Sequence, residues 1–343
     1  MSVEKIRGIH IRPSAAFAVP ANKFRYHCTS EKSPEVGDVV FGRIKYLGQH
    51  RSLENCSGRI HQIQDGRNGF FVFGNRYAPD YYEGLVPEKF GGTVDLLARS
   101  GLVGNVICKS SLVSDPTQIE LLGYMCDSEG AILNTRNFNL VRPKSTEKKE
   151  HRAKMVLCVG TSMNSGKSAA AAACCRSLSA AGHIVRASKI TGTASLKDIL
   201  LMEDCGAGPV SDFTHLGFPS TYLLSEEELL HIFNSLDLKY ANNPKNYWVV
   251  EIADGLLQSE TAFLLTSKVL KKRIHKLVFA AHDAFGAIGG LDILQKRFGL
   301  VPDAISGVCS SSPLAIRELS CFTKIPIFDS LNPALHKLSK LLV

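Results

Sequence analysis

Lys154–Ser168 reads KMVLCVGTSMNSGKS: an apolar run that ends at Gly160, a loop of small and polar residues, then Gly166-Lys167-Ser168. SAAAAACCRSLSAAG (Ser168–Gly182) follows, an alanine-rich helix former that stops at glycine. A buried strand leading through a glycine loop into a helix is the context that gives a G-K-S triplet its meaning. Small residues let backbone N–H groups wrap phosphate oxygens, and the helix N-terminus adds positive potential. Lys167 supplies a point charge to the β and γ phosphates, and the Ser168 hydroxyl suits magnesium. Gly160, Thr161, Asn164, Ser165, Gly166, Lys167 and Ser168 are therefore the expected nucleotide-binding residues, with ATP and Mg2+ the expected cofactors.

Outward from the loop, strand and helix patterns alternate. HIVRASKIT (His183–Thr191), YWVVEIADG (Tyr247–Gly255), KLVFAAHD (Lys276–Asp283) and AISGVCS (Ala304–Ser310) read as strands. SEEELLHIFNSL (Ser225–Leu236) and SETAFLLTSKVLKK (Ser259–Lys272) read as helices between them. Such alternation predicts an α/β fold, a parallel sheet with flanking helices, over residues 155–343. Residues 1–141 are different. GDVVFGRIKYLG (Gly37–Gly48), GRIHQI (Gly58–Ile63), GFFVFG (Gly69–Gly74) and LVGNVICKS (Leu102–Ser110) are short strand-like runs punctuated by Gly, Asn and Asp. They predict a small β-rich domain, barrel or sandwich, of unassigned role. RPKSTEKKEHRAK (Arg142–Lys154) reads as a polar linker over 142–154.

Between Gly160 and Gly166 stand five residues, one more than in the common G-x4-G-K-[ST] pattern. With that length and its Gly-Thr opening, the loop resembles those of dethiobiotin synthetases and of cobyrinic and cobyric acid amide synthases. The second half also resembles uncharacterised bacterial P-loop proteins allied to them. Partitioning ATPases of the ParA and MinD type share the class but carry lysine directly after the first glycine, where Thr161 stands here. The resemblance implies that Lys189, in RASKITGT, lies beside the γ phosphate as a second catalytic lysine with Lys167. It implies magnesium ligation by Ser168, by Asp212 in VSDFTHLG, with Asp198 and Asp204 as rivals, and by Glu251 in WVVEIADG. Ile252 and Asp254 replace glycines of the family segment, so the likeness covers the nucleotide half and names no substrate. The implied activity is ATP- and Mg-dependent phosphorylation of a carboxylate or carbamate on a small acid. The alternative is an ATP-driven switch whose β-rich domain engages a protein or nucleic-acid partner.

Weaker signals carry competing readings. Asp254 serves as a magnesium ligand or base, or caps a helix starting near Leu256. Asp283 faces the nucleotide edge or caps a loop. Ser306–Pro313 contacts the adenine or is a local serine-rich turn. Arg76, Tyr77, Tyr81 and Tyr82 form a ligand surface or fold back on the barrel.

Composition sets the remaining bounds. A net charge of +8 over 343 residues is modest, which favours a mildly basic soluble protein over a nucleic-acid binder. Ten cysteines without a CxxC pair, and histidines without HxxxH or HxH spacing, favour reduced thiols over disulfides or zinc. The N-terminus lacks an apolar signal region, and no stretch has the ~20 apolar residues of a membrane helix. A cytoplasmic protein is expected, and a homodimer is compatible with this reading.

Overall fold

In the computed structural model, which describes residues 2–343, the chain forms two compact units. One contains Met1–Leu140 together with Thr193–Lys197 and Phe213–Leu223; the other contains Val141–Gly192, Asp198–Asp212 and Leu224–Val343. The chain thus leaves the second unit after Gly192 and again after Asp212, returning at Asp198 and at Leu224.

The strands of the first unit are β1 (Val3–Lys5), β2 (Tyr26–Cys28), β3 (Val39–Tyr46), β4 (Ser52–Glu54), β5 (Ile60–Gln62), β6 (Asn68–Phe73), β7 (Arg76–Tyr77), β8 (Tyr82–Leu85), β9 (Thr93–Leu96), β10 (Leu102–Lys109) and β11 (Gln118–Cys126). β11 pairs β3, β3 pairs β6, β6 pairs β10, β10 pairs β9, and β9 returns to β11. That ring closes a five-stranded barrel, antiparallel except between β6 and β10. Closure removes the open strand edges that invite aggregation. Alternate residues fill its core, including Val40, Ile44, Phe71, Phe73, Val94, Leu96, Val103, Ile119 and Leu121. Their neighbours Val39, Phe41, Phe70 and Val72 are buried too, against Ala15, Ala16 and Val19. Burial of both faces explains why β3 and β6 read as continuous apolar runs.

The two excursions are secured within this unit by backbone and buried polar groups. Leu196 N donates to the buried Glu54 carboxylate at 2.7 Å, and Thr135 Oγ1 donates to Gly217 O at 2.7 Å. Tyr222 Oη donates to Glu83 at 2.6 Å. Arg76 is buried and stacks on Tyr81 at 5.2 Å, and Tyr82 donates its hydroxyl to Ser114 O at 2.7 Å. Those three residues of the tyrosine-rich loop therefore pack back onto the barrel. Tyr77 lies 5.6 Å from the Tyr222 ring, centroid to centroid.

The second unit is the expected α/β layer structure. Its strands are β12 (Lys154–Gly160), β13 (Ile184–Lys189), β14 (Val210–Asp212), β15 (Asn246–Glu251), β16 (Ile274–Ala280) and β17 (Ala304–Ser306). They form one parallel sheet in the order β14-β13-β15-β12-β16-β17. The helices are α1 (Lys167–Ala180), α2 (Leu196–Asp204, of which the part from Asp198 on belongs to this unit), α3 (Glu226–Tyr240), α4 (Ser259–Thr266), α5 (Lys268–Lys271), α6 (Ala284–Phe298), α7 (Pro313–Ser320) and α8 (Leu335–Leu342). The stretch read as one helix from Ser259 breaks at Ser267, whose extended backbone and capping hydroxyl start α5. α3 opens with a full capping box between Ser225 and Glu228.

The polar run 142–154 lies along this unit. Lys149 N donates to Asn242 Oδ1 at 2.8 Å, and Ala153 N to Ala241 O at 2.9 Å. Arg152 ion-pairs at 2.6 Å with the fully buried Asp237, which Arg273 also approaches at 3.2 Å. All ten cysteines are free thiols. Among the described residues no helix is long and apolar enough to cross a membrane.

Candidate nucleotide site

The carboxyl ends of β14, β13, β15 and β12 bring the site together. In register, Lys189 stands beside Asp212 on one side and Glu251 on the other, and Glu251 stands beside Cys158. Crevices at the carboxyl ends of parallel strands are where open α/β sheets bind ligands. β12 then delivers the loop. Thr161 N donates to Ala280 O at 2.9 Å, which holds the loop's start against β16. A side chain at Gly160 would meet Ser165 Oγ at 2.4 Å and Lys167 Cγ at 2.7 Å.

Gly166 adopts φ 95° and precedes α1, whose N-terminus has no side-chain cap. The first N–H groups of α1 are thereby left for a ligand, as phosphate binding requires. The loop is braced from behind by the turn after β17, where Val308 N donates to Ser165 O at 3.1 Å. This accounts for SGVCSSSP structurally: its Ser310 and Ser311 hydroxyls bond to Gly307 O and Val308 O within the turn. No sequence signal linked that turn to the loop.

Lys167 is buried, and its ammonium donates to Ser162 O at 2.6 Å. Burial pulls its pKa down to about 8 against the opposing charges of Glu251 and Asp254. Ser168 Oγ donates to Glu251 Oε1 at 3.0 Å, while Glu251 Oε2 is buried without a hydrogen-bond partner. Burial raises the Glu251 carboxyl, and Lys189 opposes it from 3.5 Å. Lys189 also ion-pairs with Asp198. Burial disfavours its charge, but Asp198 and Glu251 outweigh burial and hold its pKa above the ordinary lysine value.

Lys167, Ser168, Lys189 and Glu251 thus lie together at the carboxyl ends of the strands. Asp198 joins them through Lys189, in the role of ion-pair partner. Asp212 is fully buried at the end of β14. Asp204 ends α2, exposed and about 9 Å along the helix from Asp198 at 1.5 Å per residue. Asp254 does not cap the next helix, because α4 begins at Ser259 with Gln258 as its cap. Asp283 caps α6 by accepting from Gly286 N at 2.7 Å.

Magnesium fits these residues. Ser168 and Glu251 offer hard oxygens in contact, and the unpartnered Glu251 Oε2 is an orphaned buried acceptor that a cation would satisfy. Among the described residues there is no group of three or more His, Cys, Asp or Glu side chains able to hold a metal. Magnesium held by one or two carboxylates, water and phosphate needs none.

No family model matches the chain, and no curated protein matches it. Solved structures similar to it include the signal recognition particle receptor FtsY from Elizabethkingia anophelis in complex with GDP. That match has 10% identity, covers 61% of this chain and 68% of the other, and gives a TM-score of 0.39. A ParA family ATPase from Chlorobium tepidum matches at 14% identity over 55% of this chain and 96% of its own, with a TM-score of 0.33. The cell division protein FtsY from Thermotoga maritima matches at 16% identity, with coverages of 59% and 73% and a TM-score of 0.32.

Proposed function

We propose that this chain binds a nucleoside triphosphate with magnesium and hydrolyses it as a switch governing how its β-rich unit engages a macromolecular partner. The loop amides and the α1 N-terminus would take the β and γ phosphates, with Lys167 turning from Ser162 O to the phosphate oxygens. Ser168 and Glu251 would hold magnesium, with Asp212 a further oxygen donor at the strand ends. Magnesium when bound supplies neutralisation of phosphate charge. Lys167 adds a fixed positive charge where negative charge grows on the transferring group.

One observation carries the switch reading over the ligase reading. An acid acceptor would need an uncommitted cation at Lys189, yet that ammonium faces two carboxylates, Asp198 and Glu251. A carboxylate or carbamate entering there finds that ammonium already committed to protein carboxylates, which disfavours its binding. The chain path supports the same reading. Gly192 and Asp212 are the last residues before excursions folded with the β-rich unit, and Asp198 is the first after one.

Turnover in water enriched with heavy oxygen tests the proposal. One solvent oxygen should enter each released phosphate, at a rate indifferent to a panel of small acids. Phosphate that instead carries oxygen from a labelled acid overturns the switch reading in favour of the ligase.

A further inference from the structure

Lys189 shares the Glu251 carboxylate that a cation held with Ser168 would use. Its Nζ lies 3.5 Å from Glu251 Oε1, the oxygen that also accepts from Ser168, and both side chains are almost fully buried. A divalent ion held by Ser168 and Glu251 would share that carboxylate with the ammonium. Two cations on one buried carboxylate repel strongly, because little water screens them. The ammonium must then lean elsewhere, and its second partner is the Asp198 carboxylate on the first turn of α2.

We propose that Asp198 is a positioning residue that takes over the Lys189 ammonium when a divalent cation arrives at Glu251. In the empty site Lys189 neutralises Glu251 and Asp198 together. In the loaded site the metal neutralises Glu251, and Lys189 pairs with Asp198 alone. The inference rests on Ser168 and Glu251 being the metal ligands. It adds that Lys189 competes with the metal and that Asp198 relieves the competition. Removing the Asp198 charge leaves Lys189 with Glu251 as its nearest carboxylate partner, so metal binding must weaken.

The test measures metal binding directly. Mn2+ is titrated into the full chain with a non-hydrolysable ATP analogue, and free Mn2+ is followed by electron paramagnetic resonance. Asp198→Asn should weaken Mn2+ binding on the order of tenfold, as loss of one close charge partner implies. Asp198→Glu should stay near wild type. Lys189→Met alone should tighten Mn2+ binding, and Asp198→Asn should cost little in that background, because no ammonium remains to compete. The proposal is overturned if Lys189→Met fails to tighten binding. It is overturned equally if Asp198→Asn costs the same with and without Lys189, which would make Asp198 a direct ligand or a purely structural residue. Glu251→Gln separates the underlying reading: unchanged Mn2+ affinity in that variant removes the metal from Glu251.

Discussion

Gly307 ties the fold to the loop from Gly160 to Ser168, and replacing it by alanine tests that tie. Its backbone stands at φ 101° and ψ −161°, a region essentially reserved for glycine. Forcing a side chain into it costs ~1–3 kcal/mol before any contact is considered. The added Cβ would lie 2.3 Å from Ser165 O, 2.6 Å from Ala281 O and 2.7 Å from Ala281 N. All three are backbone atoms that cannot rotate aside. Relief requires moving the turn, which breaks the bond from Val308 N to Ser165 O and unbraces the loop. A total of about 3 kcal/mol or more follows, a size reserved for strain and overpacking. For a unit of this size each kcal/mol moves the melting temperature by roughly 2–4 °C, so Gly307→Ala should lower it by roughly 6–12 °C. Gly289→Ala is the matched control, since Gly289 is exposed in α6 and nothing lies within 4 Å of its added Cβ. That change should stabilise by ~0.5–1 kcal/mol through helix propensity. Differential scanning calorimetry on both variants, with nucleotide titration of each, reads the outcome. A Gly307→Ala protein that melts and binds nucleotide like wild type would refute the bracing argument.

Two further perturbations follow from buried charge. Burial, helped by the Arg76 charge, holds the His50 pKa at about 4, below its ordinary value of 6.5. Because the unfolded chain takes up that proton first, stability is unaffected above pH 6.5 and declines as pH falls from 6.5 toward 4. Allowing for partial exposure, the loss is ~1–2 kcal/mol, and urea unfolding at pH 7 and 4.5 should show it in wild type but not in His50→Gln. Asp237 anchors Arg152, Arg273 and Lys148 while fully buried. Asp237→Asn should cost ~3–5 kcal/mol and speed tryptic cleavage between Arg142 and Arg152, and an unchanged digestion pattern would count against that anchor.

The sequence showed the sheet of the second unit because its evidence is local. Apolar strands and an alanine-rich helix each declare themselves within about ten residues, and the loop motif is contiguous. The placement of Lys167, Ser168, Lys189 and Glu251 was legible for the same reason, each ending or following a recognisable strand. The barrel was less legible, because its closure depends on β9 pairing with both β10 and β11, a long-range fact that no short window contains. The excursions Thr193–Lys197 and Phe213–Leu223 were invisible, since nothing in their composition marks them as folding with the first unit. Asp198, a rival to Asp212 as a magnesium ligand in the sequence reading, forms an ion pair with Lys189. That pairing depends on where α2 places the side chain, which no short window of sequence contains. Asp283 shows the converse, an acidic strand-end residue that proves to be a helix cap.

The central claim is that the loop from Gly160 to Ser168 binds a triphosphate through Lys167. Isothermal titration of the full chain with non-hydrolysable ATP and GTP analogues in the presence of magnesium tests it most directly. Wild type should bind at least one analogue, and Lys167→Ala should weaken that binding by two orders of magnitude or more, roughly 3 kcal/mol for a lost charge-assisted contact. Equal affinity in wild type and Lys167→Ala would contradict the claim.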